Sequence, residues 1–528
     1  MKRILWPLVL MTAVAGLLDL LVASRMSLTA DERLHIRYGS YILHGHPDRT
    51  YGGSSLDSQM PLSAFQAFPG ALGNLMQSHG IAPVLARHLQ GLTAARIATI
   101  FATLLLNLCI VFWAYDLYGT QAAIAAGVLA LLSPTLMAHG TVATTDMFGA
   151  LGVTAALLFF RRFLIHQTAW NAALSGLTLA LAQIAKSFSV LLYAVVGLVL
   201  LWSLLRTSQK LALNRKRIAL FVATSAASVL IVLNVAYCFD RTFTLLKNYR
   251  FDSPSSQRLQ TVGLIRNLPI PVPYPFLQGL DMMKSNEQTG ASSGNVYLLG
   301  SLGEVTNPNF RGFKSYYAVV LFFKEPIALQ ILFVWGLYHL WTRRRNDFLR
   351  AEGLLLVAAV ILLCWLSLFS RMQFGIRHIL PVVAVEIIIG ASVFSDFSSA
   401  PRIRKGCLAA LTLWMAISVG TYYPQMIPYM NEWSGDRKET FRLLADSNLD
   451  WGQDAAIVAD FLRRNPDVVE NPTPTTTGRV LAGANRLTGV DRWNPSEQFL
   501  TKYHPIAQIG YAHFLFVVPP ERASRSKP

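Results

Sequence analysis

Three carboxylates lie beside apolar stretches that are long enough to cross a membrane. Asp31 and Glu32 directly follow the first such stretch, and Asp146 begins a later one. A carboxylate at a membrane boundary is costly unless it is solvated or used, so these residues are candidates for general-base catalysis. Alternatively, Thr29 or Asp31, and Thr145 or Asp146, cap the N-terminus of a helix. Capping and catalysis are compatible, and the sequence leaves both open.

Four basic side chains interrupt apolar sequence further along the chain. Lys324 lies in "YYAVVLFFKEPIAL", and Arg371, Arg377 and His378 lie in "SRMQFGIRHILP". Guanidinium groups bind phosphate in a bidentate manner, so this set predicts a binding site for a donor phosphate. The alternative is that these side chains snorkel to the membrane interface. Lys186, between two apolar stretches, is a weaker candidate for the same site.

Acids and cations at one membrane face suit a transfer reaction on a lipid-linked phosphate. A carboxylate accepts the proton of an acceptor hydroxyl, while cations stabilise the departing phosphate. We therefore expect a polyprenyl-phosphate sugar as donor. A divalent metal is a further candidate cofactor, because His35, His44, His46 and Asp57 lie in the first outer loop. Their spacing defines no metal site, so the cofactor is unknown at this stage.

The elements that must position these residues are membrane-spanning helices. Hydrophobic residues make up 53% of the 528 residues and charged residues only 14%, which excludes a disordered or fibrous protein. A net charge of +17 would suggest a nucleic-acid partner in a soluble protein, but in a membrane protein it indicates basic cytoplasmic loops. We expect no nucleic-acid partner. Since a span needs about 20 apolar residues, eleven spans are predicted, near residues 4–24, 93–115, 118–138, 144–164, 170–185, 188–206, 217–239, 316–341, 352–370, 374–396 and 405–423.

Basic residues orient these spans with the N-terminus in the cytoplasm. The large loops at 25–92 and 240–315 and the C-terminal tail then face outward, together with the acids. We predict an all-α polytopic membrane domain at 1–425 and a small α/β extracytoplasmic domain at 430–528, where short strand-like runs such as "AHFLFVV" occur. The residues that set this orientation are Arg161, Arg162, Arg206, Lys210, Arg215, Lys216, Arg217, Arg343, Arg344, Arg345, Arg350, Arg402, Arg404 and Lys405.

Several motifs occur together and in a consistent order along the chain. They are "ADE" at 30–32, "MPLSAF" at 60–65, "YGTQAAIAAGVLALLSPTLMAHGTVATTDM" at 118–147, "GIRHILP" at 375–381 and "DSNLDWGQD" at 446–454. With these motifs the chain resembles the GT-C class of integral-membrane glycosyltransferases. More narrowly, it is similar to glycosyltransferase family 39, which includes protein O-mannosyltransferases and lipid A aminoarabinose transferases, and to its bacterial branch.

The resemblance implies a role for each acid. Asp31 is the expected catalytic base, Glu32 supports it, and Asp146 is the second acid. The chain departs from the family pattern at 59–62, where "QMPL" replaces the usual Lys-Pro-Pro or His-Pro-Pro. This replacement puts in doubt the metal or phosphate contact that the family makes there. The tail motif at 446–454 is expected either to bind sugar or acceptor, or to cap a helix and pack on the membrane domain.

These features predict an integral-membrane glycosyltransferase of the bacterial cytoplasmic membrane, with its active site facing outward. Its partners would be a polyprenyl-phosphate sugar donor, an envelope glycolipid, glycan or protein acceptor, and the membrane lipids. A transporter or flippase for lipid-linked glycans, or an inactive scaffold subunit of an envelope complex, is the alternative. Transporters tend to contain internal repeats and polar residues at the membrane midplane, whereas here no clear repeat occurs and the charges gather at one face.

Overall fold

The computed structural model describes residues 2–51, 56, 59–205, 214–291, 293–343 and 348–520. Five residues used in the sequence predictions lie outside these ranges: Asp57, Arg206, Lys210, Arg344 and Arg345.

The first half of the chain consists of helices and connecting loops. The helices are α1 (Lys2–Arg25), α2 (Glu32–Leu43), α3 (Ser63–Ser78), α4 (Pro83–Leu89), α5 (Leu92–Tyr118), α6 (Thr120–Leu131), α7 (Pro134–Gly140), α8 (Asp146–Ile165), α9 (Ala169–Ala185), α10 (Leu191–Leu205) and α11 (Arg215–Ala236).

The second half adds further helices and two small sheets. Its helices are α12 (Pro254–Thr261), α13 (Tyr274–Thr289), α14 (Tyr316–Lys324), α15 (Ile327–Arg343), α16 (Glu352–Leu368), α17 (Leu380–Ala391), α18 (Arg402–Gly420), α19 (Ala455–Arg464) and α20 (Ala484–Thr488). Its strands are β1 (Val296–Leu298), β2 (Ser301–Gly303), β3 (Val469–Glu470), β4 (Gly478–Gly483), β5 (Ala507–Ile509) and β6 (His513–Val518).

Every predicted span corresponds to helical structure, although not every helix is long enough to cross a membrane unaided. By length and composition, seven spans among the described residues qualify: Leu5–Arg25, Leu92–Tyr118, Asp146–Ile165, Ser187–Leu205, Arg215–Ala236, Ile376–Ser399 and Arg402–Gly420. Two broken pairs raise the number to nine. The shorter apolar helices α9 and α16 occupy the remaining two predicted positions. The predicted polytopic helical class is confirmed, with seven to nine spans of sufficient length rather than eleven.

Proline accounts for both breaks. The chain bends by 59° between α6 and α7, where Ser133 caps α7 and Pro134 begins it. It bends by 114° between α14 and α15, where Pro326 stands in the connection. Proline donates no backbone hydrogen bond and clashes with the preceding turn, so a helix ends before it. The second break places Lys324 and Glu325 in the interior of the bundle, where both side chains are buried.

The centre of the membrane domain is α17. Every residue from 380 to 391 in this helix is buried, and the span that contains it is 89% buried, against 17–61% for the other candidate spans among the described residues. It packs against α15, α6, α8 and α5. Because its N-terminal turn follows directly on residues 375–379, the "GIRHILP" motif is held at the middle of the bundle and not at its lipid-facing edge.

The loops on the predicted outer side form small ordered structures. Strands β1 and β2 pair as an antiparallel hairpin within the 240–315 loop. The tail forms a four-stranded sheet in the order β3-β4-β6-β5, in which β3 and β4 run parallel and the other pairs are antiparallel. With α19 and α20 it gives the predicted small α/β region. Between 425 and 454, however, the tail packs on the membrane domain: the amides of Ser27 and Ala30 donate to the carbonyls of Gln453 and Trp451.

Candidate active site

Asp31 and Arg377 form an ion pair across 346 residues of sequence. Asp31 stands at the start of α2, but its side chain makes no capping hydrogen bond there, so the carboxylate is available to Arg377. About 31% of the Asp31 side chain is exposed, whereas the Arg377 side chain is 10% exposed. Arg377 also stacks on the ring of Trp451, 4.5 Å from its centroid, and such a cation–π contact further fixes the guanidinium.

Glycine allows Arg377 to approach Asp31. Gly375 has φ +76, which side chains rarely adopt. A Cβ atom at Gly375 would also lie 2.8 Å from Ser447 Oγ and 2.9 Å from Asn448 Oδ1, so the tail packs directly on this turn. The amide of Ile376 donates to Asn448 Oδ1 at 3.0 Å and completes the junction.

The Asp31 carboxyl group is ionised at neutral pH. Burial alone would raise its pKa, but the charge of Arg377, its hydrogen bond and nearby His35 outweigh burial and hold the pKa below its usual value. A lowered pKa means that the carboxylate form persists above that value and is lost only under acidic conditions. Asp31 therefore has the protonation state that a general base requires.

Asp146 forms a second acid–cation pair with Lys186. Lys186 Nζ lies 2.6 Å from Asp146 Oδ1, and Thr144 Oγ1 donates to Asp146 Oδ2 at 2.8 Å. The Asp146 side chain is fully buried, and Thr145 makes no side-chain cap on α8. Asp31 and Thr145 stand at the N-cap positions of α2 and α8, and neither makes a capping hydrogen bond with its side chain. Lys186, the weaker candidate from the sequence, is thus the direct partner of an acid.

The two pairs belong to one electrostatic cluster. Arg377 interacts with Asp31, Asp146 and Asp446, and His378 interacts with Lys186, Arg377 and Asp146. The fold therefore brings together predicted site residues from three distant parts of the sequence, namely Asp31, Asp146 and the pair Arg377 and His378.

Histidine side chains fill the space between these charges. His35 Nδ1 lies 2.9 Å from Ser63 Oγ, and His139 packs edge-on against the ring of Trp451 at 5.9 Å. Burial, assisted by the charge of Lys186, lowers the pKa of His35 to about 4, so this ring is neutral at physiological pH. The acids consequently face neutral imidazoles, and the local positive charge is supplied by Arg377 and Lys186.

Glu32 has a different environment from its neighbour Asp31. It is fully buried and forms two parallel hydrogen bonds with Arg96, each 2.7 Å long. It also accepts the amides of Ala143 at 2.7 Å and Thr29 at 2.9 Å. Since four donors already occupy the carboxylate, Glu32 is suited to join α5, the 141–145 segment and the chain after α1.

Lys324 and Arg371 do not join the cluster directly. Lys324 is buried, and its Nζ donates at 2.6 Å to the carbonyls of both Ile427 and Asn448. Arg371 donates to the carbonyl of Val305 at 3.0 Å and to those of Glu287 and Gln288, so it fastens the 240–315 loop. Both predicted phosphate ligands instead bind backbone carbonyls. The sequence showed that both residues are cationic. It did not predict how the 240–315 loop and the tail fold around them.

The tail contributes the carboxylate of Asp446, which the sequence placed in a motif expected to bind sugar or acceptor or to pack on the membrane domain, without a role of its own in catalysis. Asp446 lies beside Arg377 and Asp31, and burial raises its pKa to about 6 against the opposing effect of Arg377. Its position in the motif "DSNLDWGQD", after the last span, did not indicate that it would meet the N-termini of α2 and α17 in particular. His139 was not predicted either, because it lies within an apolar stretch whose sequence indicates a membrane span.

The described residues of the site form no group suited to a divalent metal. Among the described residues, no three His, Cys, Asp or Glu side chains converge to hold a metal ion. Asp31 and Asp146 each face a cation instead. Of the loop histidines, His44 bonds to the carbonyl of Ser40 at 2.7 Å and His46 stacks on Tyr51 at 4.5 Å.

An apolar groove lies between α8, α10, α16 and α17. Phe188 lies two residues after Lys186, Pro381 four residues after Arg377, and Val153 two turns along α8 from Asp146. One end of the groove therefore lies close to the charged cluster. Its lining is formed by Val153, Thr154, Leu157, Phe188, Leu191, Leu192, Val195, Leu355, Ala358, Ala359, Leu362, Pro381 and Val385.

Several solved structures show a partial likeness to this chain. ArnT from Cupriavidus metallidurans bound to undecaprenyl phosphate is 16% identical, with 79% of this chain and 70% of that chain covered and a TM-score of 0.47. The same protein in the apo state gives 16%, the same coverage and a TM-score of 0.48. The oligosaccharyltransferase of Archaeoglobus fulgidus in the apo form is 14% identical, with 79% and 55% covered and a TM-score of 0.49. These scores are too low to carry a functional argument.

Sequence comparison gives a more specific result. No characterised protein matches the chain significantly. Residues 85–241, from α4 to the loop after α11, match the family model described as dolichyl-phosphate-mannose-protein mannosyltransferase. This segment includes Lys186 and the whole of the long motif at 118–147, with Asp146. Over residues 85–241 the chain is thus similar in sequence to that family, in agreement with the resemblance to membrane glycosyltransferases predicted from its motifs.

Proposed function

We propose that the protein transfers a sugar from a polyprenyl-phosphate carrier to a hydroxyl group of an envelope acceptor, on the outer face of a bacterial cytoplasmic membrane. The observation that carries the proposal is the position of two acid–cation pairs, Asp31–Arg377 and Asp146–Lys186, at one end of an apolar groove. A polyprenyl-phosphate sugar has the same arrangement of parts, because a long apolar chain ends in an anion that carries the sugar. The family match over 85–241 supports the same class of reaction.

In the proposed reaction Asp31 accepts the proton of the acceptor hydroxyl. The acceptor oxygen forms a bond to the anomeric carbon of the sugar, and the bond from that carbon to the phosphate oxygen breaks. Polyprenyl phosphate leaves with the electron pair of the broken bond. Arg377 and Lys186 stabilise its negative charge, so this leaving group needs no general acid. Asp146 holds Lys186 in place, and Glu32 positions Asp31 through the chain around α2.

Release of polyprenyl phosphate tests this function. Purified full-length protein in lipid nanodiscs is incubated with a panel of undecaprenyl-phosphate sugars, both hexoses and pentoses, and with envelope extract as the acceptor source. We expect one donor to yield undecaprenyl phosphate and a new glycoconjugate by mass spectrometry. If labelled donor in proteoliposomes instead crosses the membrane with its sugar still attached, the transporter hypothesis replaces this one.

The groove leads to a prediction about the lipid chain of the donor. Ala358 lines the groove on α16, whereas Val360 on the same helix is 56% exposed at the outside of the bundle. We expect Ala358→Trp to weaken undecaprenyl phosphate binding about tenfold, since added bulk in a packed apolar site typically costs 1–3 kcal/mol. Microscale thermophoresis measures the affinity. Val360→Trp is the matched control, and equal effects of the two substitutions would contradict the proposed role of the groove.

The orientation of the site gives another prediction. A reporter enzyme that is active only outside the cytoplasm, fused after Met430, is expected to be active. The same reporter fused after Ala400, beside the basic residues Arg402 and Arg404, is expected to be inactive because such clusters stay in the cytoplasm. Activity at Ala400 and not at Met430 would place the acids on the cytoplasmic side and reverse the proposed location.

A further inference from the structure

Asp446 lies next to the Asp31–Arg377 pair without taking part in it. Arg377 interacts electrostatically with both carboxylates, but it forms its direct ion pair with Asp31. Among the contacts of the described residues, Asp446 forms no direct ion pair, and its carboxylate accepts a long hydrogen bond from Ser447 Oγ at 3.3 Å. One guanidinium group is thus flanked by two carboxylates that differ in how closely they bind it.

The backbone at Asp446 adopts a costly conformation. Its φ is +56, in the left-handed region that non-glycine residues seldom occupy, although Asp and Asn tolerate it better than most. Such a conformation persists only where the surroundings over-determine it. Here the Asp446 amide donates to Asn485 Oδ1 at 2.8 Å, and Ser447 Oγ donates to the carbonyl of Phe374 at 2.8 Å.

The same segment is fastened on its other side. Lys324 Nζ donates to the Asn448 carbonyl at 2.6 Å, and Asn448 Nδ2 donates to the hydroxyl of Tyr316 at 3.1 Å. These buried contacts hold residues 446–448 against the turn that carries Arg377. They also give Lys324 a role in the site, since it fixes the segment that presents Asp446.

We propose that Asp446 is a positioning residue of the active site, whose negative charge opposes that of Arg377 at Asp31 and thereby keeps Asp31 able to accept a proton. The inference rests on the proposed function and adds a residue of the tail to it. Asp31 and Asp446 interact as like charges, so each carboxylate makes the other easier to protonate, whereas Arg377 has the opposite effect on both. Without the charge of Asp446, the effect of Arg377 on Asp31 would be less opposed, and a less basic Asp31 would accept the acceptor proton less readily.

This role predicts opposite effects on binding and on turnover. Removing the negative charge of Asp446 leaves Arg377 more attractive to a phosphate, so undecaprenyl phosphate should bind about threefold more tightly or better. Turnover of the undecaprenyl-phosphate sugar should fall about tenfold, because the base is weaker. A purely structural role for Asp446 would instead weaken both.

Two substitutions separate charge from backbone strain. Asp446→Asn removes the charge and keeps both the shape and the tolerance for positive φ, and Asp446→Gly removes the side chain while relieving the strain. We expect both variants to show tighter undecaprenyl phosphate binding and slower turnover in nanodiscs. Asp446→Ala, which strains the backbone further, serves as the control for misfolding and should lower the melting temperature.

Unchanged or weaker undecaprenyl phosphate binding in both Asp446→Asn and Asp446→Gly would overturn the inference, whatever happens to turnover. Asp31→Asn, measured in parallel, distinguishes a failure of the inference about Asp446 from a failure of the proposed function. If Asp31→Asn abolishes transfer while Asp446→Asn and Asp446→Gly behave like the unmodified protein, the inference about Asp446 fails and the proposed function stands. If Asp31→Asn retains full transfer, the proposed base is wrong and the inference fails with it.

Discussion

Replacing Asp31 with asparagine is expected to lower the rate of sugar transfer by about 10²–10⁴-fold, the usual contribution of a positioned general base. Asparagine has nearly the same shape as aspartate, but its amide cannot accept a proton from the acceptor hydroxyl. It also leaves Arg377 without its direct ionic partner. Because Asp31 makes no side-chain cap on α2, the helix itself should remain intact.

The measurement is the rate of undecaprenyl phosphate release by purified variants in nanodiscs, with the melting temperature of each preparation recorded. Asp460→Asn is the matched control, since Asp460 pairs with Arg463 and Arg464 at the exposed surface of α19. Exposed pairs of this kind contribute little. Near-normal transfer by Asp31→Asn would mean that another acid is the base, and Asp146 would be the next candidate.

The ionisation of Asp31 also sets the sign of a pH effect. Because its pKa lies below the usual value, Asp31 is fully ionised at neutral pH, and the proposed reaction slows only when the pH falls far enough to protonate it. The transfer rate should therefore fall on the acidic side, and Asp31→Asn should lack that limb in any residual activity.

The sequence predicted those site residues best that stand at the ends of apolar stretches. Asp31, Asp146 and Arg377 stand at the ends of apolar stretches, and the alternation of spans placed all three at one membrane face before any contact was known. The sequence showed Lys186 only as a charge between two predicted spans. It did not indicate that Asp146, which lies 40 residues away in sequence, is the partner of Lys186. The breaks at Pro134 and Pro326 shortened some predicted spans, since a proline ends a helix that hydropathy alone would continue.

The rest of the site depends on tertiary packing that a single sequence does not reveal. Arg371 and Lys324 have the residue types of phosphate ligands, yet they bind carbonyl groups, because the outer loop and the tail fold over them. Conversely, Arg96 lies within an apolar stretch and was not predicted to belong to the site, although it is the direct partner of Glu32. Charge and position along a span indicate which side of the membrane a residue occupies, but not which neighbour it meets.

The Glu32–Arg96 pair carries the second large expected effect, which is on stability. Both side chains are fully buried, and Arg96 also donates to the carbonyls of Ala23 at 2.7 Å and Met26 at 2.9 Å. Glu32→Gln keeps the shape of the side chain but leaves the Arg96 charge buried without its counter-ion. Breaking a buried pair in this way typically costs 3–5 kcal/mol of the free energy of unfolding.

Thermal unfolding of purified variants in one detergent measures this effect, and Asp460→Asn provides the comparison. The Asp460 side chain is 38% exposed and pairs with Arg463 and Arg464, whose side chains are 75% exposed, so loss of these pairs should cost less than about 1 kcal/mol. Combining Glu32→Gln with Arg96→Met removes both charges and should recover part of the loss, although the amides of Ala143 and Thr29 would still lose a charged acceptor. If the folded fraction of Glu32→Gln transfers sugar at a near-normal rate, Glu32 positions the site. A Glu32→Gln protein that is folded and stable but inactive would instead indicate that Glu32 takes part in proton transfer. In that case the interactions that hold Asp31 in place would be intact, yet the reaction would have stopped.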